Sequence, residues 1–171
     1  MKITDPDPKV YIILGMHKSG TSFISKAIAG QDVDMGVVDQ GTNGTLYEHP
    51  VFNKLNYEIL HSAGGSWENP PHRDDILREM SDRKEEISQA TETRGRMRWG
   101  WKDPRTSLTI DGFLEEIDTL QNDVYLVCIF RKPTRVERAI LRTGPMENVR
   151  ALINEYNRRI IASVKKFVEL E

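Results

Sequence analysis

The stretch at residues 15–22, GMHKSGTS, has the residue types and spacing of a loop that binds phosphate. Two glycines enclose four other residues, and two hydroxyl residues, Thr21 and Ser22, follow the second glycine. A nucleotide kinase carries a lysine directly after that glycine to bind the terminal phosphates, whereas this chain has Thr21 there. The only lysine of the loop is Lys18, near its start. The pattern predicts an anion site whose chemistry differs from that of a kinase.

The segments on either side of this loop predict how it is held. Residues 10–14, VYIIL, are continuously apolar and predict a strand buried on both faces, as in a parallel sheet. From Thr21 apolar residues recur at helical spacing, and Gly30 is expected to end that helix. In a strand–loop–helix unit, backbone N–H groups and the helix N-terminus face a bound anion. The alternative is a surface turn in which Ser-Gly-Thr-Ser only caps the helix.

Strands and helices continue to alternate along the chain. Further strands are predicted at 97–101 and at 124–130, the second strongly apolar and therefore expected to be buried. Helices are predicted at 51–62, 74–91, 107–120, 134–141 and 147–168, with a structured loop at 64–73. This pattern predicts an α/β fold class, a three-layer α/β/α arrangement with a central parallel sheet, in a single domain spanning 1–171.

The charge balance limits the possible partners. A net charge of −2 argues against broad attraction to nucleic acid or to an acidic membrane, so any anion site is expected to be local. Neither a secretory signal nor a segment long enough to span a membrane is recognisable, which favours a cytoplasmic protein. Basic residues form two clusters: Arg94, Arg96, Arg98, Lys102 and Arg105, then Arg131, Lys132, Arg135, Arg138 and Arg142.

A P-loop nucleotide kinase is one hypothesis, and it lacks two diagnostic parts. The lysine after the second glycine is absent, and the apolar strand 124–130 is followed by Arg131 rather than by an acidic residue that would hold magnesium. Asp103 follows the weaker strand, so a magnesium site there stays open at this point.

Three segments together resemble the sulfotransferases that use 3′-phosphoadenosine 5′-phosphosulfate (PAPS). They are HKSGTS at 17–22, WGWKDPR at 99–105 and IFRKPTRVERA at 129–139, and the stretches 47–67 and 152–160 are also similar. The resemblance implies a P-loop NTPase-like sulfotransferase fold, here compact or truncated. It also implies PAPS as co-substrate, no metal, and a hydroxyl acceptor on a carbohydrate or small molecule that the sequence does not identify.

Eight residues are the candidate cofactor contacts, seven from the resemblance and Arg142 as a possible substitute for a missing family serine. They are His17, Lys18, Ser19, Gly20, Thr21 and Ser22 around the 5′-phosphosulfate, and Arg131 and Arg142 near the 3′-phosphate. Ala139 stands where the family has a serine that contacts the 3′-phosphate, so either Arg142, one helical turn further, replaces that contact or PAPS recognition is weakened. This departure leaves a non-catalytic nucleotide-binding module open as an alternative function.

Lys18, Glu48 and Lys102 are the catalytic candidates. Lys18 would stabilise the charge that develops on the bridging phosphate oxygen, and Lys102 would assist the sulfuryl oxygens. The segment WKDP is most similar to tyrosylprotein-type members, whose base is an early glutamate, and Glu48 matches its position. His49 and Asp103 are alternative bases, although His49 is also suited to a helix start. Asp103 is expected to orient Lys102 or Arg105 through an ion pair.

The three tryptophans and the single cysteine are predicted mainly to pack in the core. Trp67, Trp99 and Trp101 either line an acceptor cleft or pack in the core, and two of the three are expected in the core. Cys128, the single cysteine, is expected to be a buried apolar residue.

Overall fold

The computed structural model of the protein describes residues 8–36, 48–92, 98–117, 119 and 122–169. Arg94, Arg96, Met97 and Leu120, which figure in the sequence predictions, lie outside these ranges. Within them the chain forms β1 (Lys9–Leu14), α1 (Thr21–Ala29), α2 (Pro50–Ser62), α3 (Arg73–Asp82), α4 (Lys84–Thr91), β2 (Arg98–Lys102), α5 (Thr106–Glu116), β3 (Asp123–Cys128), α6 (Pro133–Leu141) and α7 (Val149–Val168).

The three strands form one parallel sheet in the order β2-β1-β3. Ile12 of the central strand β1 pairs with Trp101 on one side and with Leu126 on the other. The predicted α/β class with a parallel sheet is therefore confirmed. Because the strands are parallel, their carboxyl ends lie together at one end of the sheet. Open α/β folds bind ligands at that end.

Helices cover the two faces of the sheet unequally. On one face, α1 packs over a small cluster formed by Ile13, Val33 and Met35. The main core lies on the other face and includes the fully buried Phe52, Trp99 and Trp101. The Phe52 and Trp101 rings stack with their centroids 3.9 Å apart. The prediction that two of the three tryptophans belong to the core is confirmed.

The prediction that the apolar segment 124–130 is a buried strand is wrong in its burial. The strand exists as β3, but it lies at the edge of the sheet, and Tyr125 is 42% exposed. Cys128 is accordingly only half-buried. An apolar run shows that a strand has affinity for a core, whereas the number of neighbouring strands that cover it depends on the assembled sheet.

The predicted helix at 74–91 is two helices, α3 and α4, separated at Arg83. Arg83 leaves helical geometry and directs its guanidinium towards Glu58 and Ser62 of α2. Buried residues continue at compatible spacing across the break, with Met80 before it and Ile87 after it. The apolar pattern therefore does not indicate the break between α3 and α4. The break coincides with the contacts that Arg83 makes with α2.

The other element boundaries agree with the sequence predictions to within a few residues. Proline occupies the first turn of both α2 and α6, a position where its missing N–H costs no hydrogen bond. The predicted loop at 64–73 is present and is held by backbone bonds such as Gly65 N–H to the Leu60 carbonyl, 2.9 Å. Among the described residues, none of the helices has both the length and the apolar character required to cross a bilayer.

Candidate active site

The 15–22 loop connects the end of β1 to the first turn of α1 and has few internal bonds. Ser19 N–H donates to the Met16 carbonyl at 3.1 Å, which closes a tight turn around His17 and Lys18. Gly20 is the N-cap of α1 with φ 108°, a left-handed conformation that glycine adopts without steric cost. Because glycine has no side chain, the N-terminus of α1 has no side-chain cap. The partial positive charge of a helix N-terminus without a side-chain cap favours an anionic ligand.

Gly15, at the end of β1, has no room for a side chain because three groups lie close to its Cα atom. A Cβ atom there would lie 2.8 Å from Ser19 Oγ and from Thr21 Cγ2, and 2.9 Å from the Ile129 carbonyl oxygen. The Gly15 N–H donates to Ser107 Oγ at 2.9 Å, which ties the loop to α5. Any larger residue at this position would push the loop away from the sheet.

Lys18 lies at the tip of the loop in a left-handed conformation, with φ 65°. For a residue with a Cβ atom this conformation costs roughly 1–2 kcal/mol, so it persists only where surrounding contacts enforce it. One such contact comes from Arg131, whose Nη1 donates to the Lys18 carbonyl oxygen at 3.0 Å. The loop after β3 thus holds the loop after β1.

A pocket of about 280 Å³ opens beside these two loops, at the carboxyl ends of the strands. It is lined by His17, Lys18, Gly20, Thr21, Ser22, Glu48, Lys102, Pro104, Arg131 and Ala139. The structure therefore brings together all three catalytic candidates and most of the cofactor candidates that the sequence indicated. Three of the lining residues are cationic and one is anionic, which suits an anionic ligand.

Glu48 and Lys102 form a buried ion pair at the back of this pocket. Lys102 Nζ lies 3.0 Å from Glu48 Oε1, and the two side chains are 1% and 14% exposed. Asn53 Nδ2 donates to the other carboxylate oxygen, Oε2, at 2.7 Å. Burial lowers the pKa of Lys102, and the neighbouring Glu48 carboxylate opposes that shift. Both oxygens of Glu48 are therefore positioned by donors, and the carboxylate lies at the pocket wall.

Asp103 is turned away from the pocket and pairs with Arg105. Its carboxylate accepts from Arg105 Nε at 3.0 Å and from Nη2 at 2.6 Å, and Oδ1 also accepts from the Arg105 backbone N–H. Burial raises the pKa of Asp103, while the Arg105 guanidinium opposes that rise. This agrees with the predicted orienting ion pair. Across the part of the chain that the structure describes, no group of three or more acidic, histidine or cysteine side chains is arranged to hold a metal ion.

His17 belongs to the 15–22 loop, lies against Trp67 of the 64–73 segment and is held in its neutral form. Burial, reinforced by the positive charges of Arg105 and Lys102, lowers the pKa of His17 to about 3. Its ring contacts Trp67 with the ring centroids 4.2 Å apart. Nε2 of His17 is buried without a hydrogen-bond partner among the described residues. A neutral imidazole next to an anion site can donate or accept one hydrogen bond but adds no charge.

Some residues named by the sequence lie away from the pocket wall. Arg142 is the C-cap of α6 and borders a shallow surface between α6 and α7 rather than the pocket. Ser19 lies inside the loop, where its Oγ is buried with no partner in the described ranges. His49 is the N-cap of α2, and its Nδ1 accepts from Val51 N–H at 3.3 Å, in agreement with a helix-start role.

Two positioning contacts were missed by the sequence analysis. Asn53 follows Glu48 by five residues and therefore faces it once α2 has begun, so helical spacing from Pro50 could have indicated this contact. Trp67 is positioned by Tyr156, whose hydroxyl donates to the Trp67 carbonyl oxygen at 3.2 Å from α7. Since 89 positions separate these two residues, no local pattern indicates that contact.

Comparisons with protein-family models, with curated proteins and with solved structures found no match to this chain. The assignment of a function therefore depends on the geometry and chemistry of the site.

Proposed function

We propose that this protein is a sulfotransferase that moves a sulfuryl group from PAPS to a hydroxyl acceptor. The observation that carries the proposal is the shared pocket of Lys18, Glu48, Lys102 and Arg131 beside an uncapped helix N-terminus. The P-loop NTPase-like sulfotransferase fold is part of the same proposal. It is supported by the strand–loop–helix unit at the carboxyl edge of a parallel sheet.

The proposed step exchanges one S–O bond for another. The acceptor oxygen attacks sulfur, the bond between sulfur and the bridging phosphate oxygen breaks, and the hydroxyl proton passes to the Glu48 carboxylate. The products are the sulfate ester and adenosine 3′,5′-bisphosphate. The leaving oxygen gains negative charge, so a preorganised cation beside it lowers the barrier without a metal ion.

Each side chain has a role that its position supports. Lys18, at the mouth of the pocket on the phosphate-facing loop, stabilises the leaving oxygen. Glu48 accepts the proton, and Asn53 keeps its carboxylate facing the pocket. Lys102 balances the charge of Glu48 and interacts with the sulfuryl oxygens. Backbone donors of the loop and the hydroxyls of Thr21 and Ser22 bind the 5′-phosphate.

Arg131 serves two purposes in this proposal. It restrains the loop through the Lys18 carbonyl, and its remaining guanidinium donors are available to the 3′-phosphate. Ala139 also lines the pocket, so the position where the family has a serine faces the ligand and contributes no hydroxyl. Because Arg142 borders another surface, we assign the 3′-phosphate contact to Arg131 alone.

The test is ligand-dependent stability combined with turnover. Without magnesium, adenosine 3′,5′-bisphosphate at a hundredfold excess over its Kd should raise the free energy of unfolding by about 2.7 kcal/mol. ATP with magnesium should raise it much less, and labelled PAPS should transfer sulfate to members of a panel of hydroxyl acceptors. Stronger stabilisation by ATP and magnesium would favour a nucleotide kinase. Bisphosphate binding with no transfer to any acceptor would favour a non-catalytic nucleotide-binding module.

Two variants separate binding from chemistry in the same assays. Glu48→Gln should abolish turnover and keep bisphosphate affinity, because the carboxylate is assigned to the acceptor side. Arg131→Ala should instead weaken binding of the bisphosphate by roughly 1–3 kcal/mol, because a hydrogen bond to a charged group is lost. Wild-type turnover in Glu48→Gln would move the base elsewhere and contradict the assignment.

A further inference from the structure

The carboxyl end of β1 extends beyond the last residue pair that it makes with β2. Ile13 pairs with Lys102, where β2 ends, and the Leu14 carbonyl accepts from Ile129 N–H on the β3 side at 2.8 Å. Because the backbone groups of successive residues alternate between the two sides of a strand, the Gly15 N–H points to the side where β2 has ended. Gly15 is buried, so this donor needs a partner within the protein.

The hydroxyl of Ser107 provides that partner. Its Oγ accepts from the Gly15 N–H at 2.9 Å, and the Ser107 side chain is fully buried. Ser107 lies in the first turn of α5 and is 92 positions from Gly15 in the chain. A side-chain oxygen from a helix therefore takes the place of the strand carbonyl that β2 no longer supplies.

The segment that carries Ser107 also forms part of the pocket wall. Lys102 and Pro104, a few residues before it, both line the pocket. The Ser107 N–H donates to the Pro104 carbonyl at 3.2 Å, which keeps the chain between them compact. Ser107 therefore joins the first residue of the 15–22 loop to the segment that holds Lys102.

We propose that Ser107 is a positioning residue that holds the 15–22 loop in the conformation that binds the 5′-phosphate of the nucleotide. Among the described residues that line the pocket, Ser107 is absent, so it acts through the loop. Without its hydroxyl, the Gly15 N–H would be a buried donor with no partner, an unfavourable state that the loop relieves only by moving. The inference rests on the proposed function, which assigns this loop to the 5′ end of PAPS.

The close packing around Gly15 links its position to the start of α1. A Cβ atom on Gly15 would lie 2.8 Å from Thr21 Cγ2, and Thr21 is the first residue of that helix. Because protein interiors are close-packed, a displacement of Gly15 is passed on to Thr21 rather than absorbed by empty space. Loss of the Ser107 bond is therefore expected to disturb the Thr21 and Ser22 hydroxyls that are assigned to the 5′-phosphate.

Two nucleotides that differ only in the 5′-phosphate provide the test. In calorimetry on the full chain, Ser107→Ala should raise the Kd of adenosine 3′,5′-bisphosphate at least about tenfold and that of adenosine 3′-phosphate less than about twofold. Both nucleotides share the 3′-phosphate, the ribose and the adenine, so the difference reports on the loop. Equal weakening of both nucleotides would indicate a general distortion of the pocket. That result, or an unchanged Kd of the bisphosphate, would overturn the proposal.

Thr109→Val is the matched control on the same helix. Thr109 is 1% exposed, donates its hydroxyl to Asn56 Oδ1 and is not one of the described pocket-lining residues. The variant removes a buried hydroxyl without a contact to the loop, so both Kd values should stay within about twofold of the wild-type values. Denaturant titrations compare the stability lost in the two variants. A loss of bisphosphate affinity in Thr109→Val equal to that in Ser107→Ala would also contradict a specific role of Ser107.

Amide exchange distinguishes failure of this inference from failure of the proposed function. The Gly15 amide should exchange with solvent at least about tenfold faster in Ser107→Ala than in the wild-type protein or in Thr109→Val, without any nucleotide present. A wild-type protein that binds neither nucleotide would contradict the proposed function, and faster exchange would then still support Ser107 as the residue that positions the loop. Wild-type binding of the bisphosphate with unchanged exchange and affinity in Ser107→Ala would overturn only the role of Ser107.

Discussion

At the residue scale, the site depends on a few side chains held in unusual states. Lys18 has a left-handed backbone, His17 is kept neutral by burial, and Glu48 shares its oxygens between Lys102 and Asn53. Strained or electrostatically perturbed residues concentrate at functional sites, because the surrounding fold must stabilise them. Their concentration around one pocket supports the proposal that this pocket is the functional site.

Lys18 gives the most direct residue-scale prediction. If its ammonium acts on the leaving oxygen, Lys18→Met should lower kcat about 10²–10³-fold and change bisphosphate affinity far less. Steady-state kinetics and calorimetry on the same preparation measure the two effects. Lys18→Arg should retain part of the activity, since the charge remains although its geometry changes. Normal turnover by Lys18→Met would leave Lys18 as a surface charge and remove the main support for sulfuryl transfer.

At the element scale, α7 supports the site from the other side of the main core. Tyr156 donates to the Trp67 carbonyl, and Arg159 Nη2 donates to the Pro71 carbonyl at 2.8 Å. Trp67 in turn packs on His17. Although none of the described pocket-lining residues belongs to α7, this helix determines where Trp67 lies against the 15–22 loop.

The Tyr156 hydroxyl tests this support. Burial raises the pKa of Tyr156, so the hydroxyl keeps its proton and remains a donor. Tyr156→Phe should lower the free energy of unfolding by about 1 kcal/mol, because the bond to the Trp67 carbonyl is lost. Tyr57→Phe, at an exposed position, should change it by less than about 0.5 kcal/mol. Equal values for the two variants in denaturant titrations would show that this hydroxyl does not restrain the loop.

At the scale of the whole molecule, burial of a titratable group links stability to pH. Folding lowers the pKa of His17 from 6.5 to about 3. Between these values the unfolded chain binds a proton at this position and the folded protein does not. The contribution of His17 to stability is therefore complete above pH 6.5 and is lost as the pH falls towards 3.

This linkage predicts how unfolding varies with pH. Between pH 6.5 and 5 the free energy of unfolding should fall by up to about 1.4 kcal/mol per pH unit from this one proton. His17→Gln should flatten that slope when denaturant midpoints are measured across the range. His61→Gln, which replaces an exposed histidine on α2, is the matched control for the substitution itself. A slope unchanged by His17→Gln would contradict the burial of a neutral imidazole.

Much of the local structure could be predicted from the sequence by itself. The apolar run of β1, the glycines of the phosphate loop and the prolines that begin α2 and α6 act over a few residues, so their effects are readable from neighbouring positions. The loop and the class of the fold were predicted for that reason, whereas Glu48 and Lys102 were named from the resemblance to the sulfotransferases.

Only the tertiary structure decided which distant groups meet. Glu48 and Lys102 are 54 positions apart and form one ion pair, while Arg142 borders a separate surface although it lies close to Arg131 in the chain. The continuous apolar run likewise indicated the strand 124–130 but not its place at the edge of the sheet. The physical reason is the same in each case: side-chain pairing and strand coverage depend on how the elements assemble, and the pattern within one element records only its own tendency to be buried.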